Sequence, residues 1–226
     1  MLAVHAMARI GLLGGSFNPA HRGHRRISLA AMRALGLDEV WWLVSPGNPL
    51  KEGAKDMAPF HARLESARLA ARGAPIRPSD FEVRAGTHYT VETLDKLKRR
   101  YPNHDFIWLM GADNLRNFHL WRDWRGIAQR VPIAVISRPG YDRQAHAARA
   151  MGWLGRFVHP SSQAKRWTEW SLPAILLLRL PPDQTSATAI RALDPNWHLR
   201  SGPIHVQWPS FGMPLSLRRP LDRTSR

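Results

Sequence analysis

Apolar runs of strand length recur along the chain and alternate with longer amphipathic stretches. Residues 40–44 (VWWLV) and 105–110 (DFIWLM) are nearly continuous apolar runs, as expected of strands buried on both faces of a parallel sheet. The strand candidates cover residues 10–13, 40–44, 105–110, 131–137 and 174–178, with two short additions near Ile76 and at 81–83. Each of the five longer candidates is followed by turn residues and then by a helical pattern.

Apolar residues at helical spacing mark the stretches between these strands. The predicted helices cover residues 21–35, which end at Gly36, and 57–72, a stretch beginning at Thr90, a short segment at 145–151 and a stretch beginning at Ser186. In the second helix, Arg63, Glu65 and Arg68 are expected to face outward. Strands that alternate with helices predict an α/β fold of Rossmann type: a doubly wound, mostly parallel sheet of about six strands with helices on both faces.

One domain is expected over residues 8–195, followed by a tail over residues 196–226. The chain of 226 residues is long enough for a single domain with a substantial core. From Trp197 onward it carries four prolines, five arginines, one acidic residue and no helical period. This composition predicts an irregular, basic C-terminal tail.

The formal net charge of +16 and the absence of cysteine narrow the possible functions. The charge attracts small nucleotides and nucleic acids alike. Because the basic residues are scattered along the chain, nucleic-acid binding is the less favoured interpretation. Without cysteine the chain can form neither disulfides nor thiolate metal sites, which fits a cytoplasmic location. No apolar run approaches the roughly 20 residues that span a bilayer, so no membrane partner is expected.

The candidate chemistry begins directly after the first strand, in residues 14–24 (GGSFNPAHRGH). Gly14 and Gly15 allow the backbone to pass close to a ligand, and the N–H groups of the following helix point at whatever binds there. An anion is the favoured guest of such a helix N-terminus. His21 and His24 lie on one side of the first helical turn, where imidazoles can donate hydrogen bonds to a phosphoryl group. The alternative is a solvated histidine pair on a helix surface.

Residues 14–24 resemble the G-G-[ST]-F-[DN]-P-x-H-x-G-H signature of the nucleotidylyltransferase superfamily. The GSFNP version is similar to that of the bacterial nicotinate-nucleotide adenylyltransferases. The resemblance implies transfer of AMP from ATP to nicotinate mononucleotide, with nicotinate adenine dinucleotide and pyrophosphate as products. It extends through about residues 8–193 and fails beyond them. It assigns ATP and its phosphates to Gly14, Gly15, Ser16 and Phe17, beside the catalytic residues His21 and His24.

Two later segments extend the resemblance to the mononucleotide end of the substrate. The family motif matched by HYTVETL places Thr90 near the nicotinate group, and the motif matched by GAD places Asp113 at ribose hydroxyls. Trp121 matches a tryptophan that stacks on the pyridine ring, and backbone donors near Thr90 and Arg122 are expected to bind the nicotinate carboxylate. Simpler roles remain open: Thr90 and Asp113 can cap helices, and Trp121 can belong to the core.

The last motif, TSATAIR, resembles the family's I-S-x-T-x-I-R, with Thr185 in place of the usual isoleucine. Ser186 is expected to cap a helix, with Thr188 in its first turn and Arg191 one turn later, so that their donors converge on one anion. The resemblance directs Arg191 and this helix start at the β- and γ-phosphates of ATP, and Lys51, after the second strand, at phosphate. An ordinary capped helix and a solvated loop lysine are the alternatives. We expect this segment to meet the glycine-rich turn across the cleft at the carboxyl ends of the strands.

No serine, cysteine or lysine stands beside a base as an activated nucleophile, so we expect the mononucleotide phosphate to attack the α-phosphorus of ATP directly. Mg²⁺ is the expected cofactor, bound mainly through the substrate phosphates, and no protein metal site is predicted. The competing interpretations are a phosphopantetheine adenylyltransferase, a cytidylyltransferase, a fragment of a class I synthetase and a basic RNA-binding protein. The oligomeric state is not predicted.

Overall fold

A seven-stranded sheet, in which every neighbouring pair of strands is parallel, forms the centre of the computed structural model. The structure describes residues 7–47, 57–137, 147–179 and 185–199. The strands are β1 (Ala8–Gly15), β2 (Glu39–Val44), β3 (Ile76–Ser79), β4 (His104–Gly111), β5 (Ile133–Ser137), β6 (Val158–His159) and β7 (Ile175–Arg179). Their order across the sheet is β3-β2-β1-β4-β5-β7-β6. The predicted Rossmann-like architecture is confirmed, with slightly more strands than expected.

Helices cover both faces of this sheet, as predicted. They are α1 (Arg22–Leu35), α2 (Phe60–Ala71), α3 (Phe81–Ala85), α4 (Thr90–Arg100), α5 (Ala112–Asn117), α6 (Trp124–Arg130), α7 (Met151–Leu154) and α8 (Ala187–Leu193). Successive residues of β1 enter two different apolar clusters, because side chains alternate along a strand. Leu12 packs in the cluster that contains α4 to α7, whereas Leu13 packs in the cluster that contains α1 and α2.

The position of β1 in the middle of the sheet creates the crevice in which the candidate residues gather. From β1 the chain adds β2 and β3 on one side, and then crosses to add β4 on the other side of β1. Open α/β sheets bind ligands at such a reversal, outside the carboxyl ends of the strands. The turn after β1 and the start of α5 after β4 both lie at this edge.

Two local predictions are wrong, and one short strand was missed. Residues 81–83, expected as a strand, belong to α3, which ends where Gly86 adopts a left-handed φ of 60°. An apolar-polar-apolar triplet is too short to separate a strand from one helical turn. The two-residue strand β6, which pairs with β7 at the edge of the sheet, was not predicted. Helix α7 begins at Met151, where the predicted helix of residues 145–151 was expected to end.

The structure describes four residues beyond the predicted domain boundary at residue 195. Trp197 begins a short 3₁₀ turn (Trp197–Leu199) and is 3% exposed. The rest of the predicted tail, residues 200–226, lies outside the described residues. Within the described ranges, no helix combines the length and the apolar character that crossing a membrane requires.

Candidate active site

The backbone of the glycine-rich turn is held by packing on both sides. A Cβ atom on Gly14 would lie 2.7 Å from the Trp108 ring, so the close approach of β1 to β4 requires glycine there. Phe17 adopts a left-handed φ of 48°, which is rare for an aromatic residue. Its buried ring stacks on Trp42, with 5.1 Å between ring centroids. The strained conformation is therefore anchored by the core.

His21 and His24 lie side by side at the start of α1, as predicted, with 3.9 Å between their ring centroids. His21 is the N-cap of α1, and its Nδ1 accepts a hydrogen bond from the Gly23 N–H at 3.1 Å. The His24 Nδ1 accepts from the His21 N–H at 3.2 Å. In a neutral imidazole whose Nδ1 accepts, Nε2 carries the hydrogen. Each ring therefore presents an Nε2–H donor from a side chain that the backbone holds in place.

The electrostatic surroundings keep His24 uncharged. Burial is the largest cause that lowers the pKa of His24 well below 6.5, and the neighbouring His21 lowers it further, against a weaker opposing effect of the backbone hydrogen bond. At neutral pH His24 is thus a neutral hydrogen-bond donor and not a cation. The sequence indicated the donor role but not the charge state.

Helix α8 meets the turn across the cleft, as expected. The Arg191 Nη1 donates to the Asn18 carbonyl at 2.7 Å, and the Thr185 carbonyl lies 3.4 Å from where a Cβ of Gly23 would stand. The Ser186 Oγ accepts from the Ala189 N–H at 3.1 Å, which confirms its predicted capping role, and Thr188 is exposed in the first helical turn. A guanidinium has five N–H donors, so its bond to Asn18 is compatible with phosphate contacts.

The start of α4 lies against the segment that follows α5. The Arg122 guanidinium stands 4.6 Å from the centroid of the Tyr89 ring and 3.4 Å from Glu92 Oε1. Thr90 does not cap α4, because Tyr89 occupies the cap position and Thr90 is already helical. The structure therefore brings Arg122 and Thr90 to the same corner, and capping, the alternative role of Thr90, is not observed.

The two remaining residues of the expected mononucleotide pocket lie near the carboxyl end of β4. Trp121 is half-buried, and its ring meets the Trp108 ring edge-on at 6.1 Å between centroids. Since Trp108 also packs against Gly14, it links Trp121 to the turn. Asp113 is exposed in the first turn of α5 and makes no side-chain capping bond there, since Gly111 holds the cap position. Capping is therefore not the role of Asp113.

One predicted phosphate-binding residue falls outside the part of the chain that the structure describes: Lys51. The loop that leads to Lys51 is described as far as Gly47, and it starts beside the turn: the Ser45 N–H donates to the Gly15 carbonyl at 3.0 Å.

Two buried polar residues near the site were missed by the sequence interpretation. Arg63, expected to face outward, is 1% exposed. It donates to backbone carbonyls of the turn after β1 and of the loop after β2. Glu82, placed in a predicted strand, is 8% exposed and accepts a hydrogen bond from the Thr93 hydroxyl at 3.3 Å. Burial raises the pKa of Glu82 to about 7, although the Thr93 hydrogen bond opposes the shift. Neither residue leaves a sequence signal, because periodicity cannot reveal a buried polar contact to a distant segment.

The chain is similar to known proteins over most of its length. Residues 12–193 match the family model described as cytidylyltransferase-like. The chain is 57% identical over 204 residues to a probable nicotinate-nucleotide adenylyltransferase of Erythrobacter litoralis, covering 89% of this chain and 93% of the relative. A relative with the same description from Parvibaculum lavamentivorans is 48% identical over 192 residues, covering 85% and 94%.

Solved structures share the fold at low sequence identity. Nicotinic acid mononucleotide adenylyltransferase of Plasmodium falciparum, complexed with NaAD, superposes with a TM-score of 0.58 at 18% identity over 82% of this chain and 83% of that chain. The same enzyme complexed with APC superposes with a TM-score of 0.58 at 17% identity, with the same coverage.

Proposed function

This chain belongs to the nicotinate-nucleotide adenylyltransferases of the cytidylyltransferase-like family, which transfer AMP from ATP to nicotinate mononucleotide, and we propose that its residues do so by positioning both substrates. The mononucleotide phosphate attacks the α-phosphorus of ATP, the bond from that phosphorus to the β-phosphate bridging oxygen breaks, and pyrophosphate leaves. No covalent intermediate with the protein is involved. Catalysis then consists of orientation and stabilisation of charge on the phosphoryl oxygens.

The observation that carries this proposal is the pair of fixed imidazoles at the start of α1. Their Nδ1 atoms accept from backbone N–H groups, so the Nε2 atoms of His21 and His24 carry the hydrogens that we assign to ATP phosphates. Donors that are already oriented need no rearrangement during the reaction, which is why such groups stabilise a transition state efficiently. We assign His21 and His24 to the oxygens that gain charge in the transfer.

The rest of the phosphate site is assigned to the turn and to α8. Gly14, Gly15, Ser16 and Phe17 supply backbone contacts, Ser186 and Thr188 supply the start of α8, and Lys51 supplies a further cation. Arg191 binds the β- and γ-phosphates, a role that its bond to Asn18 supports because that bond holds α8 against the turn. A planar guanidinium can contact two phosphate oxygens at once.

The mononucleotide binds at the corner formed by α4, α5 and the segment between α5 and α6. In this proposal Trp121 stacks on the pyridine ring, Asp113 binds ribose hydroxyls, and the start of α4 at Thr90 binds the nicotinate carboxylate together with Arg122. The Arg122 position beside Tyr89 and Glu92 supports the last assignment, since it places a cation next to the N-terminus of α4.

Mg²⁺ is proposed to arrive with the substrate phosphates. Among the described residues no group of three or more His, Cys, Asp or Glu side chains could hold a metal ion. The groups around the turn are N–H donors, which suit phosphate oxygens better than a metal cation. The bound ion would neutralise part of the phosphate charge. The residues of the chain hold the phosphates that carry it.

We further propose that the protein works in the cytoplasm. Its two substrates are phosphorylated and do not cross membranes unaided, and the sequence is free of cysteine, as suits a reducing compartment.

The test is incubation of the full chain with ATP, Mg²⁺ and nicotinate mononucleotide. We expect one pyrophosphate per dinucleotide formed, with nicotinate adenine dinucleotide identified by mass spectrometry. The same mixture without the mononucleotide is the control and should release no pyrophosphate. Formation of another nucleotidyl product, or no turnover by folded protein, would refute the assignment.

A further inference from the structure

Arg63 of α2 is a buried cation without a carboxylate partner among the described residues. It is 1% exposed and is satisfied by backbone carbonyls. Its Nη1 donates to the carbonyl oxygens of Ser16 at 2.7 Å and Ser45 at 2.8 Å, and its Nη2 donates to the carbonyl oxygen of Pro46 at 3.1 Å. A fourth bond, from Nε to the Ala58 oxygen at 2.9 Å, fixes the guanidinium to the chain just before α2.

Burying a guanidinium in this way is costly unless its donors are satisfied. Burial lowers the pKa of Arg63, but from a starting value so high that the group stays protonated at neutral pH. The positive charge therefore stands directly behind the turn that follows β1. In a poorly solvated site such a charge is screened less than a surface charge and favours anions on the far side of the turn.

The bond to Ser16 also determines the direction of one backbone donor. In a planar trans peptide the carbonyl and the N–H point in opposite directions. Because the Ser16 carbonyl points at Arg63, the N–H of Phe17 points away from α2. The bond to Pro46 orients the Gly47 N–H in the same manner, at the start of the loop that leads to Lys51.

The Ser16–Phe17 peptide needs such a restraint, because Phe17 is held at a φ of 48°. A non-glycine residue in this region of φ stores backbone strain. Rotation of the peptide by half a turn would move φ of Phe17 toward ordinary values and would also reverse its N–H. The Arg63 bond opposes that rotation, and the Phe17 ring stacked on Trp42 holds the other end.

We propose that Arg63 is a positioning residue for ATP: it holds the Ser16–Phe17 peptide so that the Phe17 N–H faces the triphosphate, and it aligns the loop after β2 with that turn. The inference rests on the proposed function, because it takes the ligand on the far side of the turn to be ATP. It adds a residue remote from the reacting atoms to the determinants of ATP binding.

The test compares Arg63→Lys and Arg63→Ala with Arg68→Gln, a control on the exposed side of the same helix. We expect KM for ATP to rise at least tenfold in Arg63→Lys, with KM for the mononucleotide changed less than threefold, and Arg68→Gln to match wild type. In Arg63→Ala, millimolar guanidinium should restore part of the activity, whereas equal ionic strength of sodium chloride should not. The ¹⁵N–¹H signal of Phe17 should shift in Arg63→Lys.

Each outcome decides the inference. Wild-type KM for ATP in folded Arg63→Lys overturns it, and so does an equal rise of both KM values. If Arg63→Ala does not fold, the lysine variant and the Phe17 signal still decide. Failure of the proposed function is seen separately, as absence of dinucleotide synthesis by the wild-type chain.

Discussion

The His24 imidazole is held neutral and oriented by the same surroundings. Burial lowers its pKa, and the bond from the His21 N–H occupies its Nδ1, so that Nε2 carries the hydrogen of the neutral ring. A protonated imidazole could not accept that backbone bond. Below about pH 6.5 the unfolded chain takes up a proton that folded His24 resists, so His24 lowers the stability of the folded state as the pH falls through that range.

We expect His24→Ala to lower kcat about 100-fold, the usual effect of removing one oriented transition-state donor. Steady-state rates of pyrophosphate release measure it, with circular dichroism to confirm folding. His61→Ala is the control, because His61 is exposed on α2. Near-wild-type turnover by folded His24→Ala would remove His24 from the catalytic residues.

Glu82, which lies beneath the start of α4, makes the stability of the fold depend on pH in the direction opposite to that of His24. Its pKa is raised from 4.5 to about 7, so between these values the folded chain keeps a proton that the unfolded chain has lost. Stability therefore falls as the pH rises through this window, and above it the whole cost of ionising the buried Glu82 is present. The network that Glu82 shares with Thr87 and Thr93 lies under the first turn of α4.

Replacing Glu82 with glutamine should remove this penalty, because the amide resembles the neutral acid. Relative to wild type, the free energy of unfolding of Glu82→Gln should increase between pH 5 and pH 8 by an amount on the order of 3 kcal/mol. Urea denaturation at both pH values measures the change. Glu65→Gln, an exposed control on α2, should show almost no pH-dependent difference. If Glu82→Gln changed the free energy of unfolding equally at both pH values, a raised pKa of the buried Glu82 would be contradicted.

At the scale of elements, α8 is seven residues long and stays in place through contacts with the turn. We expect Arg191→Lys to lower kcat/KM for ATP at least tenfold, although the charge is kept. Lysine cannot reproduce a planar donor that reaches the Asn18 carbonyl and phosphate oxygens together. Arg33→Lys, on the exposed side of α1, is the matched control. An unchanged ATP response would leave Arg191 with a structural role only.

The elements that the sequence predicts well are those with a long apolar pattern. Strands β1, β2, β4, β5 and β7 all appear where apolar runs placed them, because a strand buried on both faces tolerates few polar residues. Helix α3 and strand β6 were missed because each is only a few residues long, and their states depend on neighbours distant in sequence. Periodicity also misplaced Arg63, since polar burial at α2 depends on carbonyls from two other loops.

For the whole molecule, motif order and sheet topology together explain why two of the predicted segments meet in the fold. The turn after β1 and the segment at α8 are more than 150 residues apart, yet parallel strands bring their carboxyl ends to one edge. What the sequence could not supply is how these segments hold each other. The bonds of Arg63 to Ser16 and of Arg191 to Asn18 are contacts between side chains and backbone, which no residue pattern encodes.

The net charge of +16 acts on every anionic substrate, so it cannot by itself distinguish the acid mononucleotide from the amide. In the proposed binding mode, discrimination between the acid and the amide comes from the corner where α4 begins. A carboxylate only accepts hydrogen bonds, and the helix N-terminus and Arg122 only donate them. The amide would turn its own N–H toward these donors and would lose the charge interaction.

We therefore expect nicotinate mononucleotide to be preferred over the amide by at least tenfold in kcat/KM, about 1.4 kcal/mol in transition-state binding. Initial rates with each mononucleotide at fixed ATP measure the ratio. Arg122→Gln should narrow this ratio mainly by lowering kcat/KM for the acid mononucleotide. Arg125→Gln, at an exposed neighbouring position, should leave the ratio unchanged. Because salt screens exposed charges, high ionic strength should narrow the wild-type ratio without abolishing it. Equal efficiencies at low salt would refute a pocket selective for the acid and would leave adenylyl transfer itself untouched.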